Sequence, residues 1–174
     1  MHCISLLGSA MKKKGFSLIE LMVVIVIISI LSSIAVPKLF GMMAKSKASE
    51  LSPAARTYIK LQDAFAGENH QLGSWTSIGY VGPGTKVSTD SSRTNSFGYG
   101  GGDLKGNAYA SAVNTSSDNV VGWIATSLTA LNDVTTNSSW TITVSISNAG
   151  VPHYVATMPA NAEALTPSFT RLGH

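Results

Sequence analysis

A lone carboxylate, Glu20, interrupts an otherwise uncharged run of 21 residues from 16 to 36. A charge inside such a segment costs on the order of 2.5–3.5 kcal/mol on membrane-insertion scales, so a chain that keeps one usually uses it. The chemistry open to Glu20 is pairing with a cation or hydrogen-bond donor inside apolar surroundings. Directly upstream stand Lys12, Lys13 and Lys14, then Gly15 and the bulky Phe16. At 1.5 Å per residue the run makes a helix about 31 Å long, enough to cross a bilayer core of roughly 30 Å. Its basic flank is the side held in the cytoplasm.

Other candidates are weaker. Asp63, Glu68 and His70 form a local group of potential metal ligands, but their place at the end of a helical pattern points to solvation of a helix terminus. Asn132, Asp133 and Asn137 supply oxygens in a loop, yet their spacing matches turn chemistry better than a calcium loop. His70, His153 and His174 are scattered. Asn114-Thr115-Ser116 and Asn137-Ser138-Ser139 match the N-glycosylation pattern, which Asn/Ser/Thr-rich chains meet by chance. No Gly-x-Ser-x-Gly, His-Glu-x-x-His, complete phosphate-binding loop or strict Gly-x-Gly-x-x-Gly occurs. The glycine-rich 98–102 reads as a flexible surface loop. No catalytic residue, cofactor or metal is assigned, and the chain is read as a substrate of enzymes, not an enzyme.

The elements that carry these groups follow from periodicity. Residues 16–36 are apolar on every face. Beyond Pro37, Leu51, Ala54, Tyr58, Leu61 and Phe65 recur at spacings of three and four, while Glu50, Arg56, Lys60 and Asp63 point elsewhere. This predicts an amphipathic continuation to about residue 66, with Gly67 as the stop. Pro37 and Pro53 cannot donate to the carbonyls of Ser33 and Ser49, so kinks or local melting are expected at both. The hydroxyls of Ser32 and Ser33 are candidates to satisfy the freed carbonyls.

From residue 68 the composition changes: Gly, Ser, Thr and Asn make up 50 of 107 residues, and only 10 are charged. That mixture favours strands joined by turns. Residues 140–147 alternate strictly, apolar at even positions, and predict a half-buried strand. Asn148, Ala149 and Gly150 read as a turn, 152–158 as the returning strand, and 120–125 as another. Residues 75–81 are read as a further short strand, with 82–95 and 97–106 as loops. Trp75, Tyr80, Trp123 and Trp140 are assigned to packing, with an exposed subset open to stacking on sugars. Phe40, Tyr58 and Phe65 are read as packing residues of the helix.

Lys12 to Pro37 resembles the N-terminus of type IV pilins and the type II secretion pseudopilins. The resemblance implies that a prepilin peptidase cuts after Gly15, that Phe16 becomes the N-methylated first residue, and that Glu20 is the family's glutamate, the fifth residue of the mature chain. Pro37 stands where the family commonly has a proline near the end of the apolar run. Ser29 stands where the family tends to have a glycine. The implied fold is α+β, the pilin-like fold: a long N-terminal helix, apolar then amphipathic, packed on a small antiparallel sheet. The implied organisation is a leader at 1–15, a transmembrane and assembly helix at 16–66, and a β-rich head at 67–174.

The totals fit this division. Lys12, Lys13 and Lys14 supply the whole formal charge of +3, leaving 9 basic and 9 acidic side chains after the cut. The basic run is therefore a topology signal and gives no support for nucleic-acid binding. Cys3 is the one cysteine and lies before the cut, so the disulfide that closes a C-terminal loop in many pilins is not expected. Met11 offers an alternative start that would give a five-residue leader.

The expected function is a structural subunit of a type IV pilus (fimbrium), with cell adhesion among such filaments' roles. Expected partners are copies of itself in a homo-oligomeric filament, the prepilin peptidase, the pilus or secretion assembly machinery, and the inner membrane. The precursor is expected as a single-pass inner-membrane protein, the product as an extracellular filament or a periplasmic pseudopilus. One alternative is a type II secretion pseudopilin, which shares the N-terminal motif. The other is a secreted or membrane-anchored binding protein or enzyme with an ordinary signal segment, cut after Ser33-Ile34-Ala35. Against that stand the length of the apolar run and the presence of Glu20.

Overall fold

A computed structural model describes residues 15–105, 119–147 and 149–173. Met11, the basic run at 12–14, Cys3, Asn114 with its triplet, Asn148 and His174 lie outside the described residues. The chain divides into two compact units, 1–39 and 40–174. The first described element, α1 (Leu18–Ala48), passes from one unit into the other, and α2 (Leu51–Asn69) follows after a turn at Ser49 and Glu50.

The two prolines behave differently. Helical assignment continues through Pro37, so the expected melting there does not occur. The interruption instead falls at Ser49–Glu50, where Pro53 leaves the Ser49 carbonyl without a helical donor. The Ser33 hydroxyl donates to the carbonyl of Ile30 at 2.7 Å and not to the carbonyl freed by Pro37. Ser29 donates in the same way to Ile25, at 2.7 Å, which hides its hydroxyl from the apolar surroundings of this segment. Gly67 does not end the helix. It lies inside α2, and His70 takes the left-handed cap conformation (φ 51°), its N–H donating to Ala66.

The second unit holds a six-stranded antiparallel meander in the order β1 (Thr85–Ser88), β2 (Ser91–Arg93), β3 (Phe97–Gly100), β4 (Val120–Ser127), β5 (Ser139–Ile146) and β6 (Pro152–Thr157). In β5 every even residue from Trp140 to Ile146 is buried, as the alternation requires. The strands at 120–125 and 152–158 are also found, with Gly150 in the turn at φ 76°. Residues 75–79, expected as a strand, form a turn closed by Tyr80 N–H to the Trp75 carbonyl at 2.8 Å. Conversely, β1, β2 and β3 occupy stretches expected to be loops. Their own apolar signal is slight: β1 is exposed throughout, and glycines fill the outward positions of β3. Pairing with β4, through Phe97–Ser127 and Tyr99–Ala125, extends the sheet where composition does not announce it. The glycine-rich 98–102 is thus partly a strand, and Tyr99 within it is buried.

The core lies between α2 and the sheet. Leu51, Ala54, Ala55, Tyr58, Gln62 and Ala66 form the buried stripe of α2, and Leu61 and Phe65 flank it half-buried. Gln62 is the unexpected member. With its amide turned to satisfy both neighbours, it accepts from the Gly73 N–H at 2.8 Å and donates to the Gly73 carbonyl at 3.1 Å. A buried amide held at both ends avoids the penalty of an unsatisfied polar group. The C-terminal segment packs through Phe169 and Leu172, and Trp140 Nε1 donates to Thr166 Oγ1 at 3.0 Å. Packing and backbone pairing hold this end, as the lack of any cysteine beyond Cys3 demands.

Candidate functional site

Helix α1 begins with a cap that sequence inspection for catalytic signatures passes over. The Ser17 carbonyl accepts the first helical bond, from Leu21 N–H at 3.3 Å, which makes Ser17 the N-cap. Glu20 is then the third helical residue, and its Oε2 accepts the Ser17 N–H at 2.9 Å. This is the acidic half of a capping box, legible in hindsight as Ser17-x-x-Glu20. The unpaired N–H groups of the first turn also give that end a partial positive charge that favours a carboxylate. Glu20 is therefore seated at the one place on an apolar helix where its charge has local support, with Oε1 left for a second donor.

Around this carboxylate the surface is apolar and bare. Every described residue from 15 to 40 is exposed in the isolated chain. Gly15 and Phe16 precede the helix in non-helical backbone, and Phe16 is 79% exposed. Pro37 lies within α1 and is also exposed. Among the described residues one helix, by length and composition, suffices to cross a membrane, and none of its apolar window is buried within the chain. At roughly 25 cal/mol per Å² of apolar surface, such a helix gains much by finding cover in lipid or in other helices. Phe40 belongs to this exposed set and is not packed within its own chain.

The remaining candidates are held in structural roles. Asp63 accepts from Tyr154 Oη at 2.7 Å. The His70 ring lies against Gly150, where an added Cβ would come within 2.0 Å of Nδ1. Among the described residues no group of three or more His, Cys, Asp or Glu side chains is placed to hold a metal. Asn132 and Asn137 take positive φ (55° and 64°), and Asn132 Nδ2 donates to Asp133 Oδ2 at 2.8 Å, which is turn chemistry. Trp75, Tyr80, Trp123 and Trp140 are all buried, which removes them as sugar-stacking platforms. They are tied to the core by their polar ends. Trp123 Nε1 donates to Tyr80 Oη at 3.1 Å, Tyr80 Oη to the Ala54 carbonyl at 3.1 Å, and Trp75 Nε1 to the Gly122 carbonyl at 3.1 Å.

Two comparisons with known proteins bear on this N-terminal segment. The family described as the prokaryotic N-terminal methylation motif matches residues 10–36, a span that includes Gly15, Phe16 and Glu20 and stops one residue before Pro37. The chain is also similar to the type IV major pilin protein PilA of Myxococcus xanthus (strain DK1622), 35% identical over 71 residues that make up 40% of this chain and 32% of the relative. The chain thus spans about a third of the length of the curated relative it matches. It carries an N-terminal methylation motif on an apolar helix whose amphipathic continuation packs on an antiparallel sheet, and in that motif and over those 71 residues it is similar to a type IV pilin.

Proposed function

We propose that this protein is a structural subunit of a type IV pilus, cut after Gly15 and polymerised through the apolar part of α1. The observation that carries the reading is a helix apolar on all faces, unburied within its own chain, with one carboxylate at its N-terminal turn. Lipid covers that helix in the inner-membrane precursor, and neighbouring helices cover it in the filament. Removal of the leader by a prepilin peptidase exposes the Phe16 ammonium, which is then methylated. Glu20 of an incoming subunit receives the ammonium of a neighbour through its second oxygen. An unpaired charge in an apolar bundle is strongly unfavourable, so the pair selects register more than it adds net stability. The resemblance to a relative named as a major pilin favours a surface pilus over a secretion pseudopilus.

N-terminal sequencing of the mature protein, with electron microscopy of material sheared from cells, tests this reading. It requires a chain beginning at methylated Phe16 and present in filaments. A mature chain beginning near Val36 would make the apolar run an ordinary signal and end the proposal.

A further inference from the structure

The second unit carries two charged patches of opposite sign at opposite ends of the sheet. One is a groove of about 350 Å³ between α2 and the chain's C-terminal segment, lined by Arg56, Lys60 and Arg171, with Asp63 and Tyr154 in its wall. Arg56 and Lys60 are one helical turn apart, so their side chains share a face of α2. All three cations are exposed, and none has an ion pair among the described residues. Among the described residues of the lining Asp63 is the only carboxylate, and it is already engaged by the Tyr154 hydroxyl. The other patch is Asp133, in the β4–β5 connection, and Glu163, just after the 3₁₀ turn Ala160–Ala162. Asn161 Nδ2 donates to the Asp133 carbonyl and draws the two segments together. Both carboxylates are exposed.

Strand register separates the patches. Pro152 of the groove pairs with Ile146 at one end of β5, whereas the Asp133 loop feeds Ser139 at the other. Seven residues of strand at about 3.3 Å each put them roughly 23 Å apart. Two different, complementary patches at opposite ends of one body are what a heterologous, non-closing contact needs, and repetition of such a contact generates a filament. We propose that the cationic groove of Arg56, Lys60 and Arg171 receives the Asp133 and Glu163 carboxylates of a second copy of this chain. The proposal rests on the filament reading above and names a heterologous contact between the sheet-bearing units within it. Interactions of this kind set register and partner choice more than affinity, and they weaken as salt shortens the Debye length from about 30 Å at 0.01 M to about 3 Å at 1 M.

The test uses the full chain in cells that assemble it. Because the expected mature sequence contains no cysteine, Lys60→Cys and Glu163→Cys together introduce its only thiols. Treating filaments of this variant with a short bis-maleimide should give a ladder of covalent oligomers, absent from either single variant. Filaments without a ladder would overturn the contact and leave the pilin reading standing. A wild-type chain that is made but never enters filaments would overturn the reading itself. Charge reversal gives an independent measure: Lys60→Glu should lower filament yield by at least about tenfold, since like charges would then face each other. Glu163→Lys in the same chain should restore it. Loss without rescue, or no loss, argues against the contact. Groove protection by poly-aspartate in filaments that give no ladder would assign the groove to a foreign acidic partner instead.

Discussion

Glu20 Oε2 holds the backbone N–H of Ser17 at 2.9 Å, so the carboxylate proposed to pair between subunits already caps its own helix. This separates two roles that substitution can resolve. Glu20→Gln keeps a capping side chain at the third helical position but removes the charge, whereas Glu20→Ala removes both. Both variants should be cut after Gly15 and insert in the membrane at least as well as wild type. Both should fail to assemble, or assemble rarely, because the Phe16 ammonium loses its partner. Filament counts at neutral pH decide the matter: wild-type numbers from Glu20→Gln would leave the cap as the residue's role and remove the ion pair.

Gly15 precedes a bulky, exposed Phe16, and in the processing proposed above a confined peptidase groove would have to accept Gly15 as the residue before the cut. Gly15→Val should therefore accumulate as uncut precursor in the inner membrane and give no filaments. Immunoblots of membrane fractions distinguish the two lengths, and normal processing would remove the cleavage assignment.

Pro37 sits within continuous helix, so its effect is the missing bond to the Ser33 carbonyl and not a break. Pro37→Ala should stabilise α1 by up to ~3 kcal/mol in local helix terms. Helix content in detergent should rise, and filament yield or pitch should change while cleavage stays normal. Filaments indistinguishable from wild type would show the proline to be tolerated and unused.

Gly122 marks the irregular step in β4, between Val121 and Trp123, and admits no side chain. A Cβ there would lie 2.0 Å from Tyr58 Oη and 3.1 Å from Val144. Gly122→Ala should cost about 1–3 kcal/mol by overpacking, read as a lower urea midpoint. The Tyr58 hydroxyl is buried without a hydrogen-bond partner, so Tyr58→Phe should be neutral or stabilising. Combining the two should recover part of the loss. Strict additivity would mean that the two residues do not clash.

Four buried tyrosines among the described residues, Tyr58, Tyr80, Tyr99 and Tyr154, all raised by burial, predict alkaline unfolding. Burial pushes Tyr80 up to about 12, partly offset by the bond from Trp123. Burial raises Tyr99 and Tyr154 further, reinforced by their hydroxyls donating to Glu50 and Asp63. Each folded value lies above the ordinary tyrosine value of about 10, so the stability is complete below that pH and lost as pH rises toward the folded values. Stability should be level from pH 7 to about 9.5, then fall by up to ~1.4 kcal/mol per pH unit for each tyrosine. Tyrosinate absorbance at 295 nm should appear together with loss of near-ultraviolet dichroism. Tyrosinate forming in a still-folded chain would contradict the burial argument.

What the sequence determined by itself is local or periodic. Residues 16–36 announce a helix because they are apolar on every face and no charge interrupts them but Glu20. Residues 140–147 announce a strand because their alternation matches the pleat, and Ser17 and Glu20 spell a cap at fixed spacing. What only the tertiary structure decided depends on partners distant in the chain. Strands β1 to β3 form because β4 offers a paired edge, although their Ser, Thr and Gly carry almost no burial signal. Gln62 counts as a core residue only because Gly73 returns to meet both ends of its amide. Glu50, which reads as a surface charge, accepts from Thr94 at 2.8 Å and from Tyr99 at 2.9 Å, residues more than forty positions away. Side-chain spacing is visible in a string of letters; the pairing of backbone and polar groups across long separations exists only once the chain has closed on itself.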